Sequence, residues 1–483
     1  MKKYLKQTIA AVVIAAVAGV GGYALLSGGS DKYLNIIPKD AQAVGRLDVH
    51  ALLKQAKLSD EQAQQLGSRI SGTDDQQELD LGLDLSQPIY GFVSSSGYFG
   101  MTASVADADK VEQALASPTK GGRQAELQRQ RGYSWAVISG NYMMAFDAEK
   151  MLVMGPAVGA ALDQLRNEMY GYLQQKADQS GRDSRLFADL KKVDVPAAAV
   201  LTMGVLPKPM RESVMKYVPA AVDNDVRLGL QLNIHEHGMQ VATQLIADDD
   251  EALAKLNDFG QLMRPIDGTL LNAADEGALA WACLNIKGTD ALPQLRTLPV
   301  VRLVLMGLNM MIDADQMLNA IDGDVAIQLM APSGQQALDR MPVKLNACLA
   351  NTDFLKNADY WVRSLRRGSV RALSPTDFAL NMAGIPLWFG TDQRVLYVTN
   401  DDALRRSSGN TYLAEHKRDI AGHRFFVSID MNRAAPAVQL PASLSRLCQR
   451  VNVSMKELGE LKLDAEGPQD TNFLYELLNS AIN

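Results

Sequence analysis

His235 and His237 make the most usable metal-ligand pair in this 483-residue chain, which holds five histidines. Two residues apart on a strand, they would point to one face. However, His235-Glu236-His237-Gly238 also has the polar, glycine-closed composition of a hairpin turn. Asp313, Asp315, Asp322 and Asp324 form the richest carboxylate group. A calcium loop needs alternating oxygen ligands, a glycine and a distal Glu in register. Here an apolar helical stretch separates the two pairs and no Glu follows, so cap and turn chemistry accounts for them. Asp223-Asn224-Asp225 and Asp248-Asp249-Asp250-Glu251 read as a loop and a helix start. Nucleophile elbows, phosphate loops, His-Glu-x-x-His and Cys-x-x-Cys are absent from the chain, and Gly19-x-Gly21 belongs to no βαβ unit. No catalytic, cofactor-binding or metal-ligating residue is therefore assigned, and no cofactor is expected. Cys283, Cys348 and Cys448 are odd in number and far apart, and read as free buried thiols, with one disulfide of unassigned pairing as the alternative.

Methionine is abundant at 21 residues. Met306, Met310, Met311 and Met317 punctuate an apolar helix expected over Leu298–Ala320. Such a stripe is ordinarily core; the other reading is an adaptable groove for a lipid or a partner helix. The net charge of −7 without a basic stripe argues against nucleic acid as partner. Arg363, Arg366, Arg367 and Arg371, the densest basic group, read as a solvated helix face with an anion patch as the alternative.

The elements that carry these residues begin with an anchor. Lys2, Lys3 and Lys6 precede an uncharged run from Thr8 to Leu26, long enough at about 1.5 Å per residue to approach a hydrocarbon core of ~30 Å. Residues 1–30 read as a membrane segment plus the tether Ser27–Ser30, with the rest exported. Ala16-Val17-Ala18 keeps signal-peptide cleavage open, but the apolar run continues beyond it. Behind the tether, strand, helix and hairpin patterns recur at an offset of roughly 240 residues, large enough for whole-domain duplication. Gly140 between hairpin strands matches Gly384, and Met151–Met154 matches Val395–Val398. The expected fold class is α+β: two duplicated halves, 31–260 and 261–483, each with antiparallel sheets packed by helices on one face and wet on the other. In the second half a helical stretch is expected over Leu440–Val451, and the returning strand of the hairpin is missing.

Ile37-Pro38-x-Asp40-Ala41-x-Ala43-Val44 with Leu47-Asp48, then Gly82-Leu83-Asp84-Leu85 and Pro88-Ile89-Tyr90-Gly91-Phe92, resembles a family of exported, membrane-associated Bacteroidetes proteins known as a domain of unknown function. Members of that family are often lipoproteins with an N-terminal Cys, which this chain lacks. The resemblance implies no activity and no catalytic residues. The expected function is a non-catalytic binding or scaffold protein of the cell envelope. It is held in the inner membrane through residues 8–26, and its partner is an envelope protein or an apolar ligand. The alternative is an envelope hydrolase assembled from scattered residues between the halves.

Overall fold

A computed structural model describes residues 31–482 apart from 60, 63–64, 66–81, 117–125, 139, 210, 213–225, 249–261, 332–340, 365–369, 383, 407–408 and 438–446. The expected anchor Thr8–Leu26 and Asp223–Asp225 lie outside the described residues. The chain divides into two units: Met1–Ala252 with Gly467–Asn483, and Leu253–Glu466. Both combine helices with antiparallel sheet.

In the first unit the strands are β1 (Ala43–Leu47), β2 (Ile89–Val93), β3 (Phe99–Ser104), β4 (Gln128–Gln130), β5 (Tyr133–Ile138), β6 (Tyr142–Phe146), β7 (Lys150–Gly155), β8 (Ala197–Thr202), β9 (Val226–His235) and β10 (Gly238–Ala247). Antiparallel pairing orders them β4-β5-β6-β7-β3-β2-β1-β8-β9-β10. One face of the sheet packs Val44, Phe92, Leu152, Met154 and Val200 under the helices Ala161–Leu173 and Arg185–Lys191 and the leading 3-10 turn Asp31–Ile36. Ser184 caps the second of those helices by accepting from the Phe187 N–H. The terminal helix Phe473–Ile482 belongs to this unit as well. Asn472 Nδ2 donates to the Ala56 carbonyl (2.7 Å), and the Phe473 N–H donates to the Glu236 carbonyl.

Gly82 ties the loop before β2 to the helix Ala108–Ala116. Its carbonyl accepts from the N–H groups of Ala106 and Asp107 while its φ is +69°. A Cβ there would lie 2.2 Å from the Asp107 carbonyl oxygen. Gly82→Ala adds left-handed backbone strain to a clash with main chain, and should cost about 3 kcal/mol as a shift in urea midpoint. A loss below about 1 kcal/mol would show that the loop re-forms freely.

The second unit holds β11 (Ala278–Lys287), β12 (Ile321–Met330), β13 (Val343–Leu349), β14 (Val370–Ala372), β15 (Asp377–Met382), β16 (Ile385–Asp392), β17 (Val395–Thr399), β18 (Phe425–Asp430), β19 (Arg450–Met455) and β20 (Glu460–Glu466). Their order is β14-β15-β16-β17-β13-β12-β11-β18-β19-β20. Adding ten to each label of the first order reproduces the second. The returning strand is therefore present: Arg450–Met455 is β19, and residues 450–451, expected as the end of a helix, open that strand.

Two further expectations change here. The single helix over Leu298–Ala320 is two, Pro299–Asn309 and Ala314–Asn319, preceded by a separate helix Gly288–Leu295. The polar face of the central strands is covered rather than wet. Leu345, Ala347 and Leu349 pack under those helices, while on the opposite face Trp281, Cys283 and Ala326 meet Ile266, Leu270, Leu271, Leu413 and Ile420. Polar residues of that second face, Asn285, Asp324, Gln328, Lys344 and Asn346, are buried with it. Alternation of polar and apolar residues signals solvent only where nothing covers the polar face.

Candidate functional site: an exposed apolar helix face

Pro299 opens the helix Pro299–Asn309, where its fixed φ and missing N–H cost nothing. Leu305 is buried, and Val301 and Leu308 pack beside it against the core that contains Trp361, Phe378 and Phe389. The opposite arc carries Val300 (74% exposed), Leu303 (65%), Val304 (42%), Met306 (61%) and Met310 (76%). Those positions follow the i, i+3, i+4 spacing of one helix face. Arg302 flanks the arc on the exposed side.

The support beneath the arc is specific. After Asn309 the chain turns through Met310 and Met311, and Ile312 plugs the core. The Asp313 carboxylate accepts from Asn357 Nδ2 (2.7 Å) and from the Trp361 indole Nε1 (3.1 Å), which fixes the turn to the helix Ala358–Ser364. Arg296 pairs with Asp315 across the two ends of the helix. The helix axis departs by 114° from that of Gly288–Leu295. Among the described residues no single helix is long and apolar enough to cross a membrane.

The methionine stripe thus divides: Met306 and Met310 face outward, Met311 is half-buried, and Met317 is core. The four aspartates do not converge. Asp313 and Asp315 have the roles just given, and Asp322 pairs with Arg264 (2.7 Å). Asp324 is buried and accepts from the N–H groups of Asp267 and Thr269 (both 2.9 Å) and from Asn285 Nδ2 (3.0 Å). Its carboxylate holds the chain segment that covers the sheet. His235 ends β9. His237 sits in the following turn, where its Nδ1 meets the Thr471 carbonyl at 3.0 Å. Among the described residues no group of three or more His, Cys, Asp or Glu side chains gathers as a metal site would require. Arg363 lies beside Asp359 on its helix and Arg371 is exposed on β14; Arg366 and Arg367 lie outside the described residues.

The three cysteines are free. Burial pushes the Cys283 and Cys448 thiols up, and the Cys348 thiol up to about 11 with the Asp324 carboxylate adding to it. Thiols held protonated in this way are poor nucleophiles.

Two charged networks went unrecognised in the sequence. Arg227, 4% exposed, is gripped by Asp189 and Asp248. Lys344, 1% exposed, faces Asp275 at 3.2 Å, and Gln328 Nε2 donates to the same carboxylate oxygen at 2.9 Å. Their partners lie tens of residues apart, beyond any local spacing signal. In each a buried cation is paired with a buried carboxylate, which reads as structural chemistry.

Residues 33–432 match the model of a family described as a domain of unknown function (DUF4836). No curated protein and no solved structure matches the chain.

Proposed function

Because the chain belongs to the DUF4836 family, a domain of unknown function, we propose its function from its own residues: a membrane-anchored, extracytoplasmic protein of the cell envelope that binds rather than catalyses. The observation that carries the reading is the arc Val300, Leu303, Val304, Met306 and Met310, five large apolar side chains held outward on a braced helix. Most soluble proteins scatter exposed apolar residues singly; a contiguous set marks an interaction surface.

Other features support the same reading. The lysines before the uncharged run Thr8–Leu26 favour an anchor with the remainder exported. The coincidence of the two strand orders supports duplicated halves, a scaffold that spreads surface rather than focusing one reactive centre. The buried ionisable groups are committed to fold-stabilising networks.

Full-length chain in native membranes tests the reading. A reporter cysteine placed as Ser95→Cys should react with a membrane-impermeant maleimide in intact spheroplasts, against a wild-type blank, and the chain should resist alkaline carbonate extraction. A photo-crosslinking side chain at Met306 should yield adducts that the same probe at Val158, exposed but outside the arc, does not. Labelling only after lysis, or release by carbonate, sinks the anchored topology. Equal crosslinking at the two positions sinks the binding surface.

A further inference from the structure

We propose that the cleft between the β4–β5 turn and the helix Ala161–Leu173 binds a small hydroxylated organic anion, of the class of a sugar acid or a sugar phosphate, through Arg131 and Arg166. The cleft lies within the first unit and is separate from the arc on Pro299–Asn309. It goes beyond the reading above and does not depend on it.

The turn places an arginine where the backbone disfavours one. β4 and β5 pair Gln130 with Tyr133, which leaves Arg131 and Gly132 as a two-residue loop. Both have positive φ, +53° and +85°. Such loops prefer Asn, Asp or Gly at the first position, because most L residues resist the left-handed conformation. Arg131 is held there by its side chain: the guanidinium carbon lies 4.5 Å from the centre of the Tyr170 ring. Tyr133 meets Tyr170 edge-on at 6.5 Å and supports that ring from behind the turn. A guanidinium stacked on an aromatic face keeps its N–H donors in their own plane, ready for a carboxylate or phosphate. The neighbouring Arg129 differs, because Glu112 takes it at 3.0 Å. Among the described residues no carboxylate pairs with Arg131 in this way.

The helix supplies the facing wall. Arg166 meets Asp163 at 3.6 Å, longer than the roughly 2.7–2.9 Å of a charge-assisted hydrogen bond, so a better acceptor can capture it. Both guanidiniums line a cleft of about 150 Å³ together with Gln130, Trp135 and Asn167. Two cations against one carboxylate leave that cleft net positive. Trp135 is 5% exposed and spends its indole N–H on the Gln130 carbonyl at 3.2 Å, so it offers carbon rather than a donor. The Tyr170 face that a neutral sugar ring would stack on is occupied by Arg131. Binding therefore rests on the anionic group, while the Gln130 and Asn167 amides suit hydroxyls on the body attached to it. A cleft of that size takes a body of about one six-membered ring, more than a bare phosphate.

Full-length chain in a non-ionic detergent, titrated calorimetrically with glucuronate, ribose phosphate, glucose and inorganic phosphate, tests the assignment. At least one of the two organic anions should bind with a Kd of about 1 mM or tighter. Arg131→Asn suits the left-handed turn, so it should keep or raise the urea midpoint while weakening that anion about ten-fold, the loss of one charge-assisted pair. Arg166→Gln, on the helix, should weaken it similarly. Arg129→Gln removes the same charge from the adjacent position and should leave the affinity unchanged. Equal weakening by Arg129→Gln and Arg131→Asn overturns the site, since the anion would then answer only to the field of the surface. An unchanged affinity in either Arg131→Asn or Arg166→Gln overturns it too. So does binding of glucose or of inorganic phosphate that matches the organic anions, or no saturation by either organic anion up to about 10 mM.

Discussion

Arg227→Met should destabilise the first unit by about 3–5 kcal/mol, the cost of removing one partner from a buried ion network. The guanidinium donates from Nε to Asp189 (2.8 Å) and from Nη1 and Nη2 to the two oxygens of Asp248 (3.0 and 2.7 Å). Asp189 is itself nearly buried at 6% side-chain exposure, and its other ion-pair partner, Lys192, reaches it from solvent. Methionine replaces much of the lost volume, so the loss is chiefly that of the buried guanidinium from Asp189, which retains the solvent-side Lys192. The double variant Arg227→Met/Asp189→Leu should recover most of it. A pH series separates charge from packing. Hydrogen bonds from Arg227 hold the Asp248 carboxyl below its ordinary range. A carboxylate depressed in the folded state contributes stability above its unfolded value, near 4, and loses it as pH falls through the folded value. Wild type should therefore weaken below about pH 4 with a slope that the variant lacks. Urea midpoints with unchanged m values measure both effects. A single-variant loss under 1 kcal/mol would mean that water reaches Asp189 once the arginine is gone.

Arg227 also shows where reading from sequence stops. It opens the alternation Arg227-Leu228-Gly229-Leu230-Gln231-Leu232, which announces a strand and does so correctly. Nothing within that window names Asp189 or Asp248 as neighbours, 38 and 21 residues away. Local periodicity recovered the hairpins around Gly140 and Gly384 because the signal and its partner lie within a few residues. It failed where two patterns overlap. Leu440, Leu444, Leu447 and Val451 have helical spacing, while Val451, Val453 and Met455 have the strand alternation that the structure follows in β19. Asp322-Gly323-Asp324 has the composition of a turn, yet it lies inside β12. Gly323 at φ +134° lets the ladder slip between Ile321 and Val325, and a Cβ there would come within 2.9 Å of Cys348. The apolar arc was half-legible: the methionine spacing exposed the stripe, but whether it faced core or solvent depended on where the chain turned. Ile312 and the Asp313–Trp361 hydrogen bond decide that, and they cut the expected helix in two.

The same limit hid the second network, and Asp275→Ala should expose its weight. Val343-Lys344-Leu345-Asn346-Ala347 reads as a strand with Lys344 toward water, whereas the side chain is 1% exposed under the covering segment. Asp275 supplies the opposing charge at 3.2 Å, and its carboxylate also accepts from Gln328 Nε2. The backbone at 275 is held independently: its N–H donates to Gln328 Oε1 and its carbonyl accepts from Asn410 Nδ2. Truncation to Ala therefore removes charge while the chain path is kept. The expected loss is again about 3–5 kcal/mol, with Asp275→Ala/Lys344→Met returning to within about 1–2 kcal/mol of wild type. The pH response has the same sense as that of Asp248, stability rising with pH, but it falls in the alkaline range. Burial lowers the Lys344 ammonium below its ordinary value, and Asp275 works against that. Below the folded value the ammonium is charged in both states and the full burial cost is present. Between that value and the unfolded one, near 10.4, the unfolded chain holds a proton that the native chain has released, so stability rises with pH. Without Asp275 the window opens further downward. The single variant should thus regain stability as pH climbs from neutral toward about 10, more steeply than wild type, and the double variant should be flat. Parallel pH profiles for the single and double variants would show instead that Lys344 escapes to solvent when its partner is removed.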